Sequence, residues 1–322
     1  MKILFHENQL SYRGTSVSLF DYAHYNETIL GNQSLITYNS RNVNNNSDAI
    51  KRFDKRFKVI PYETIEELNE IVKTESIDIF YAIKSGENDG IIVDKIKNCI
   101  HVVFKVYEPH GEVYAYVSEW LAENITTTKK DFVPHIISVE KSTDTLHEML
   151  NISSNCKVFG YYGGNDSFNI KFVKKVVRKI AKSNPNIYFI FMGIDNFLEK
   201  RFFWQTKINY KNIIFLESST DPLFKSKFIN TCDGMLHARL RGETFGIAIG
   251  EFALKDKPII TFKESFEKNH YKILGDDAYY YKNSAELTNI LLNSELVKSA
   301  RVKYLQFSPE LVMKKFKQIF ID

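Results

Sequence analysis

The sequence predicts an α/β protein built from two doubly wound, Rossmann-like domains. Three observations lead there. Short apolar runs alternate with helical patterns along the whole chain, and they fall into two series. A polar stretch without a strong strand core separates the series at residues 124–157. The second series opens on a strand, a glycine turn and an amphipathic helix, as a Rossmann-like domain should.

The first series reads "KILF", "SLITY", "FKVI", "IDIFYAI" and "HVVFKV". Such continuous apolar runs, each followed by a helical pattern, are strands buried on both faces of a parallel sheet. Between the first two runs, "RGTS" (residues 13–16) reads as a turn, with Ser or Thr capping the helix "SVSLFDYAHYN". The polar stretch, rich in Ser, Thr and Lys, puts a domain junction near residue 150 and gives domains 1–150 and 151–322.

The second series reads "KVFGYY", "IYFIFMG", "NIIFL", "DGMLHA", "PIITF" and "AYYY". After "KVFGYYGG", the residues Ile170, Val173, Val176, Val177 and Ile180 recur at helical spacing, with lysines opposite that read as a solvated face. The chain closes on "SPELVMKKFKQIF", where Ser308 reads as N-cap and Pro309 as the first helical residue. Leu311, Phe316 and Phe320 are available for packing there, against the first domain if the helix returns to it.

Bulk properties set the class. With 322 residues there is material for two cores, and 44% hydrophobic with 25% charged residues is a globular composition. A formal charge of +4 is too small to argue for nucleic acid, which is not expected as a partner. Cys99, Cys156 and Cys232 are widely separated and lack metal-ligand spacing, so neither a disulfide framework nor a structural zinc site is indicated. The start "MKILFHENQLSYRG" contains no secretory apolar core, and no run approaches the ~18 residues of a membrane span. A cytoplasmic protein is expected, with peripheral membrane contact left open.

The segment "HARLRGETFGIAIGEFALKDKPIIT" (residues 237–261) carries the chemistry. It reads as a strand, the loop "RLRGET", the helix "FGIAIGEFALKD" and the next parallel strand, which is one strand-helix-strand unit. Amide N–H groups of Phe245, Gly246 and Ile247 at the helix start form an anion site, and glycine lets a ligand approach the backbone. Arg239 and Arg241 can supply forked hydrogen bonds to phosphate oxygens. A carboxylate beside a pyrophosphate would be repelled, so Glu243 and Glu251 suit sugar hydroxyls instead. Eight residues of helix would separate them by ~12 Å, about the span from a hexose across a pyrophosphate to a ribose.

"RGETFGIAIGEF" resembles the Glu-x7-Glu signature of the retaining GT-B glycosyltransferases of the large family four class. The similarity extends over "FGYYGGNDSFNIKFV" and "FINTCDGMLHARLRGETFGIAIGEF", and more loosely over "YRGTSVSLFDYA" and "EPHGEVYAYVSEWLAEN". It implies the GT-B fold, two Rossmann-like domains facing across a cleft, and the activity of a retaining hexosyltransferase acting without a metal or other cofactor. It further implies a nucleotide-diphosphate-sugar donor and a glycan or other hydroxyl acceptor. Glu243 would contact donor-sugar hydroxyls, Thr244, Phe245 and Gly246 would line the sugar phosphate, and Glu251 would hold the ribose. Gly14, Thr15 and Gly163 would border the donor, and His110 in "YEPHGE" would lie by the anomeric carbon. Where family members carry an Arg and a Lys after the first C-domain strand, this sequence has Tyr161 and Tyr162. Lys171 then stands as the surviving lysine, with Arg239 or Arg241 in place of the arginine.

No Asp-x-Asp occurs, so the metal clamp of the other major glycosyltransferase fold is missing. A non-catalytic nucleotide-sugar or glycan binding protein and a nucleotide-sugar epimerase are the competing readings. A dehydrogenase is weakened because "GYYGGN" is not Gly-x-Gly-x-x-Gly.

Overall fold

The computed structural model describes residues 1–125, 130–198, 210–293 and 295–322. The chain divides into two compact units, the first comprising Met1–Ile137 with Gln306–Asp322 and the second Ser138–Leu305.

Unit 1 is a parallel sheet of six strands, β1 (Lys2–Glu7), β2 (Gln33–Asn39), β3 (Lys58–Tyr62), β4 (Ile79–Lys84), β5 (Lys97–Val102) and β6 (Val113–Tyr116), in the order β3-β2-β1-β4-β5-β6. Its helices are α1 (Gly14–Thr28), α2 (Ser47–Asp54), α3 (Ile65–Thr74) and α4 (Glu119–Ile125). The strands are apolar on both faces because helices cover both, and β4 is buried at every residue. "HVVFKV" extends as strand only to Val102, and the short β6 was not foreseen, its four residues being too few for a periodic signal.

Unit 2 repeats the plan. Its main sheet contains β7 (Lys157–Tyr162), β8 (Ile187–Met192), β9 (Ile213–Leu216), β10 (Gly234–His237), β12 (Ile259–Phe262) and β14 (Tyr279–Tyr281), in the order β14-β12-β10-β7-β8-β9. Two short strands, β11 (Gly242–Glu243) and β13 (Glu267–Lys268), pair separately. The helices of this unit are α5 (Lys171–Ser183), α6 (Pro222–Thr231), α7 (Ile247–Leu254), α8 (Asn269–Leu274), α9 (Ser284–Leu292) and α10 (Arg301–Tyr304). Val173, Val176, Val177 and Ile180 form the buried stripe of α5, while Ile170 sits just ahead of it as N-cap. In both units the strand order reverses next to the first strand, at β1/β4 and at β7/β10. Ligands of doubly wound sheets bind beyond the strand carboxyl ends at that point.

The domain junction lies at residues 137 and 138 instead of near 150, and the second segment ends at 305. The reason is hydrogen bonding that composition does not reveal. Residues 140–146 strap onto α6: Ser226 Oγ donates to the Glu140 carbonyl at 2.8 Å, Asn230 Nδ2 to Ser142 at 2.7 Å, and Leu146 N to Thr231 Oγ1 at 2.7 Å. Within the polar stretch, residues 126–129 lie outside the described residues.

The last helix, α11 (Pro309–Phe316), belongs to unit 1. Phe316 packs on Tyr22 and Tyr81 with ring centroids 5.3 and 5.1 Å apart, and Phe320 packs on Tyr81 and His101. Ser308 occupies the N-cap position without a capping side-chain bond. Leu311, expected to pack, is 55% exposed, because the core-facing stripe of α11 is Val312, Met313 and Phe316. Among the described residues no helix is long and apolar enough to cross a membrane.

Candidate functional site

The switch point of unit 2 gathers most of the residues singled out in the sequence. The loop after β10 carries Arg239, Arg241, Gly242 and Glu243 and enters α7 through Gly246. Gly246 caps that helix with φ +97°, a left-handed conformation that glycine adopts without a Cβ penalty. Gly242 is left-handed as well, and a Cβ there would meet the Glu267 carbonyl oxygen at 2.0 Å. That close approach lets β11 pair with β13, which holds the loop in register. Ser265 Oγ donates to the Arg239 carbonyl at 3.0 Å, and Asn269 Nδ2 to the Phe245 carbonyl at 2.9 Å, so the segment after β12 braces both ends of the loop.

Glu243 is held by a cation and an imidazole. Arg239 Nη1 donates to Oε2 at 2.8 Å, and His237 Nε2 lies 3.2 Å from Oε1. Thr261 Oγ1 meets the other ring nitrogen of His237 at 2.8 Å, which fixes the ring. Burial by itself would raise the Glu243 carboxyl, but the Arg239 charge and the His237 hydrogen bond outweigh it and bring it down to about 2. The acid is therefore ionised across the physiological range. Tyr161 is buried beside it, its hydroxyl pushed up by burial and by the Glu243 charge. Arg241 donates from Nε to Glu267 at 3.2 Å. Both arginines expected at phosphate thus engage carboxylates in this structure.

Glu251 lies on α7 and is 6% exposed. The segment from Glu243 to Glu251 is not one continuous helix: it runs through β11 and a left-handed glycine before α7 begins at Ile247, so the helical spacing of ~12 Å does not apply. Glu251 accepts from Lys225 Nζ at 2.5 Å and from the Tyr162 hydroxyl. Lys225, on α6, was missed by sequence reasoning, and no local signal could have found it, since 26 residues separate it from its partner. Phe245 is buried, its side chain serving the core, while Thr244 is half-buried. The first-turn amides of α7 have no partners within the helix, as at any helix start.

Gly163 follows β7, where a Cβ would meet Ser167 Oγ at 2.5 Å. Lys171 is exposed as the first residue of α5. Its loop is tied to the loop after β10, since Asn169 N donates to the Ala238 carbonyl at 3.1 Å and Leu240 N to Asn169 Oδ1 at 2.9 Å. Lys171, Gly163 and the Glu243 loop therefore gather at the carboxyl ends of β7 and β10.

In unit 1 Gly14 and Thr15 lie beyond the carboxyl end of β1, whereas His110 stands just ahead of β6, next to Gly111, which packs on Asn98 at the start of β5. Neither Thr15 nor Ser16 caps α1; Arg13 occupies the cap position without a side-chain bond. Both hydroxyls turn instead to Glu7 at the end of β1, Thr15 to Oε1 and Ser16 to Oε2 at 2.5 Å. Burial raises the Glu7 carboxyl to about 7 despite these bonds. Sequence reasoning missed Glu7, which reads as an ordinary acid just past a strand. His110 is not the exposed loop residue its glycine neighbour suggests, being 9% exposed. Its Nδ1 donates to the Glu108 carbonyl at 2.7 Å, and among the described residues no hydrogen-bond partner meets its Nε2.

No family model matches the sequence, and no curated protein matches it. Solved structures do match the fold. Anabaena HepE in complex with UDP-glucose aligns with a TM-score of 0.72 at 15% identity, covering 99% of this chain and 98% of that one. A glycosyltransferase from Rickettsia africae aligns at 0.70 and 15% identity, covering 99% and 97%. WaaG, a glycosyltransferase involved in lipopolysaccharide biosynthesis, aligns at 0.66 and 11% identity, covering 99% and 100%. The chain has the GT-B fold. Within that GT-B frame, two six-stranded sheets with the same reversal of strand order each present candidate residues at the reversal.

Proposed function

We propose that the protein is a retaining hexosyltransferase that uses a nucleotide-diphosphate-sugar as donor and needs no metal. The observation that carries this reading is the ionised Glu243, held by Arg239 and His237 at the β7/β10 reversal beside the left-handed start of α7. A fixed carboxylate next to a helix N-terminus suits a sugar diphosphate: the helix dipole favours the phosphates, and the acid accepts from sugar hydroxyls. UDP-glucose bound to Anabaena HepE supports the same ligand class here.

In this mechanism Glu243 orients the sugar, and Lys171 with the α7 amides stabilises charge growing on the departing diphosphate. The bond from the anomeric carbon to the phosphate oxygen breaks, and the acceptor oxygen bonds to that carbon on the same face. The acceptor proton passes to a phosphate oxygen as it leaves.

The test is a transfer assay over a panel of nucleotide-sugars and hydroxyl acceptors, with anomeric configuration read by NMR. Transfer with retention, lost in Glu243→Gln at unchanged circular dichroism, is the expected result. An inverted product, or full activity in the variant, would defeat the reading. The engagement of Arg239 and Arg241 by acids favours one second reading, a binding protein without turnover; donor binding with neither transfer nor hydrolysis would select it.

A further inference from the structure

Glu251, on α7, is fixed by side chains from two other elements of unit 2. Tyr162, the last residue of β7, donates its hydroxyl to Oε2, and Lys225 of α6 donates to Oε1 at 2.5 Å. The ammonium of Lys225 also lies over the Tyr162 ring, 5.3 Å from its centroid. Tyr162 in turn stacks on Phe252 of α7 at 5.7 Å and meets Phe228 of α6 edge-on at 5.8 Å. The side chains of Lys225 and Glu251 are 14% and 8% exposed, so the pair is largely withdrawn from water.

Stability does not account for a pair of this kind. Desolvating two charges costs about as much as their attraction returns, and apolar replacements of equal volume are often neutral. What the arrangement does supply is direction. A carboxylate offers about four lone-pair sites; Tyr162 and Lys225 take one on each oxygen, which leaves one on each for a further donor. Two acceptor sites on adjacent oxygens match the two hydroxyls of a vicinal diol.

We propose that Lys225 and Tyr162 are positioning residues for Glu251, and that the three together select a ribonucleoside diphosphate over its 2′-deoxy counterpart. This rests on the reading of Glu251 as the ribose-binding acid. With Lys225 removed, the carboxylate becomes an uncompensated buried charge and cannot keep both free lone pairs aimed at the diol. With Tyr162→Phe the ring and its stacking remain, and only the hydrogen bond to Oε2 is lost.

The experiment is isothermal titration of the full chain with ADP, GDP, CDP and UDP and with each 2′-deoxy counterpart. The wild type is expected to bind at least one ribonucleotide about tenfold or more tightly than its deoxy form, the worth of one hydrogen bond to a charged group. In Lys225→Met the preference falls to about twofold or less while both nucleotides still bind, and in Tyr162→Phe it falls partway. Lys225→Arg restores part of it. A residue that only supported the fold would weaken ribo and deoxy forms alike and leave the preference intact. Should Lys225→Met fail to fold, Tyr162→Phe decides alone. A wild-type preference that both variants keep overturns the proposal and leaves the ribose reading standing. A wild type that shows no preference, or binds none of the diphosphates, overturns the ribose reading and the proposal with it.

Discussion

Replacing Glu7 by Gln should make unit 1 more stable at neutral and alkaline pH, and by a calculable amount. The carboxyl is 3% exposed at the end of β1, and its value rises from 4.5 to about 7, chiefly through burial. Below about pH 4.5 it is protonated in folded and unfolded chains alike and carries no penalty. Between 4.5 and about 7 the unfolded chain has released the proton and the folded chain still holds it, so stability drops as pH rises. Above about 7 the full cost is present, about 3 kcal/mol. Other groups titrate in this window with the opposite sign: His6 and His101, lowered by burial to about 3, lose stability as pH falls below 6.5. Only the difference between Glu7→Gln and wild type isolates the acid. Urea unfolding of both, followed by Trp120 fluorescence in a Trp204→Phe background, would measure it from about pH 4 to about pH 9. The variant should gain about 3 kcal/mol relative to wild type across that range, levelling off above about 7. A difference constant within about 0.5 kcal/mol, or one that shrinks as pH rises, would show that the Thr15 and Ser16 bonds outweigh burial and would refute the reasoning.

Three further outcomes are expected. Gly242→Ala pushes a Cβ into the Glu267 carbonyl and breaks the β11/β13 pairing, at a cost of about 3 kcal/mol or more by thermal unfolding, with donor binding lost before the fold is. Arg239→Met removes the cation beside Glu243 and leaves the buried acid uncompensated, at a cost of about 3 kcal/mol. The Glu243 carboxyl should then titrate well above its value of about 2, visible by carboxyl NMR, and donor binding should weaken in mild acid where the wild type is indifferent. Phe316→Ala empties the space among Tyr22, Tyr81 and Phe5 and should destabilise unit 1 by about 4 kcal/mol, leaving the unfolding of unit 2 unchanged. Equal loss in both units would contradict the assignment of α11 to unit 1.

The site was legible where its logic is local. Strand, loop and helix around Glu243 follow from adjacent residues, while the left-handed conformation of Gly246 at the start of α7 appears only in the structure. The partners of those residues were not legible. Arg239 reads as a phosphate ligand by its charge and neighbourhood, yet its fork meets Glu243, four residues away, because the chain reverses through Gly242. Lys225 and Glu267 reach their partners only after the sheet assembles, whereas Thr15 and Ser16, which read as caps, bond Glu7 at the end of the preceding strand, across a single turn.

Hydrophobic periodicity and helix-start chemistry are written in neighbouring residues, and they suffice to specify the two doubly wound sheets and the segment that carries the acids. Packing in three dimensions sets that residues 140–146 strap onto α6, that the last helix closes the core of unit 1, and that Lys225 meets Glu251. Those outcomes depend on contacts between residues tens to hundreds of positions apart, and such contacts are fixed by packing and hydrogen-bond satisfaction in three dimensions, for which a linear pattern carries no signal.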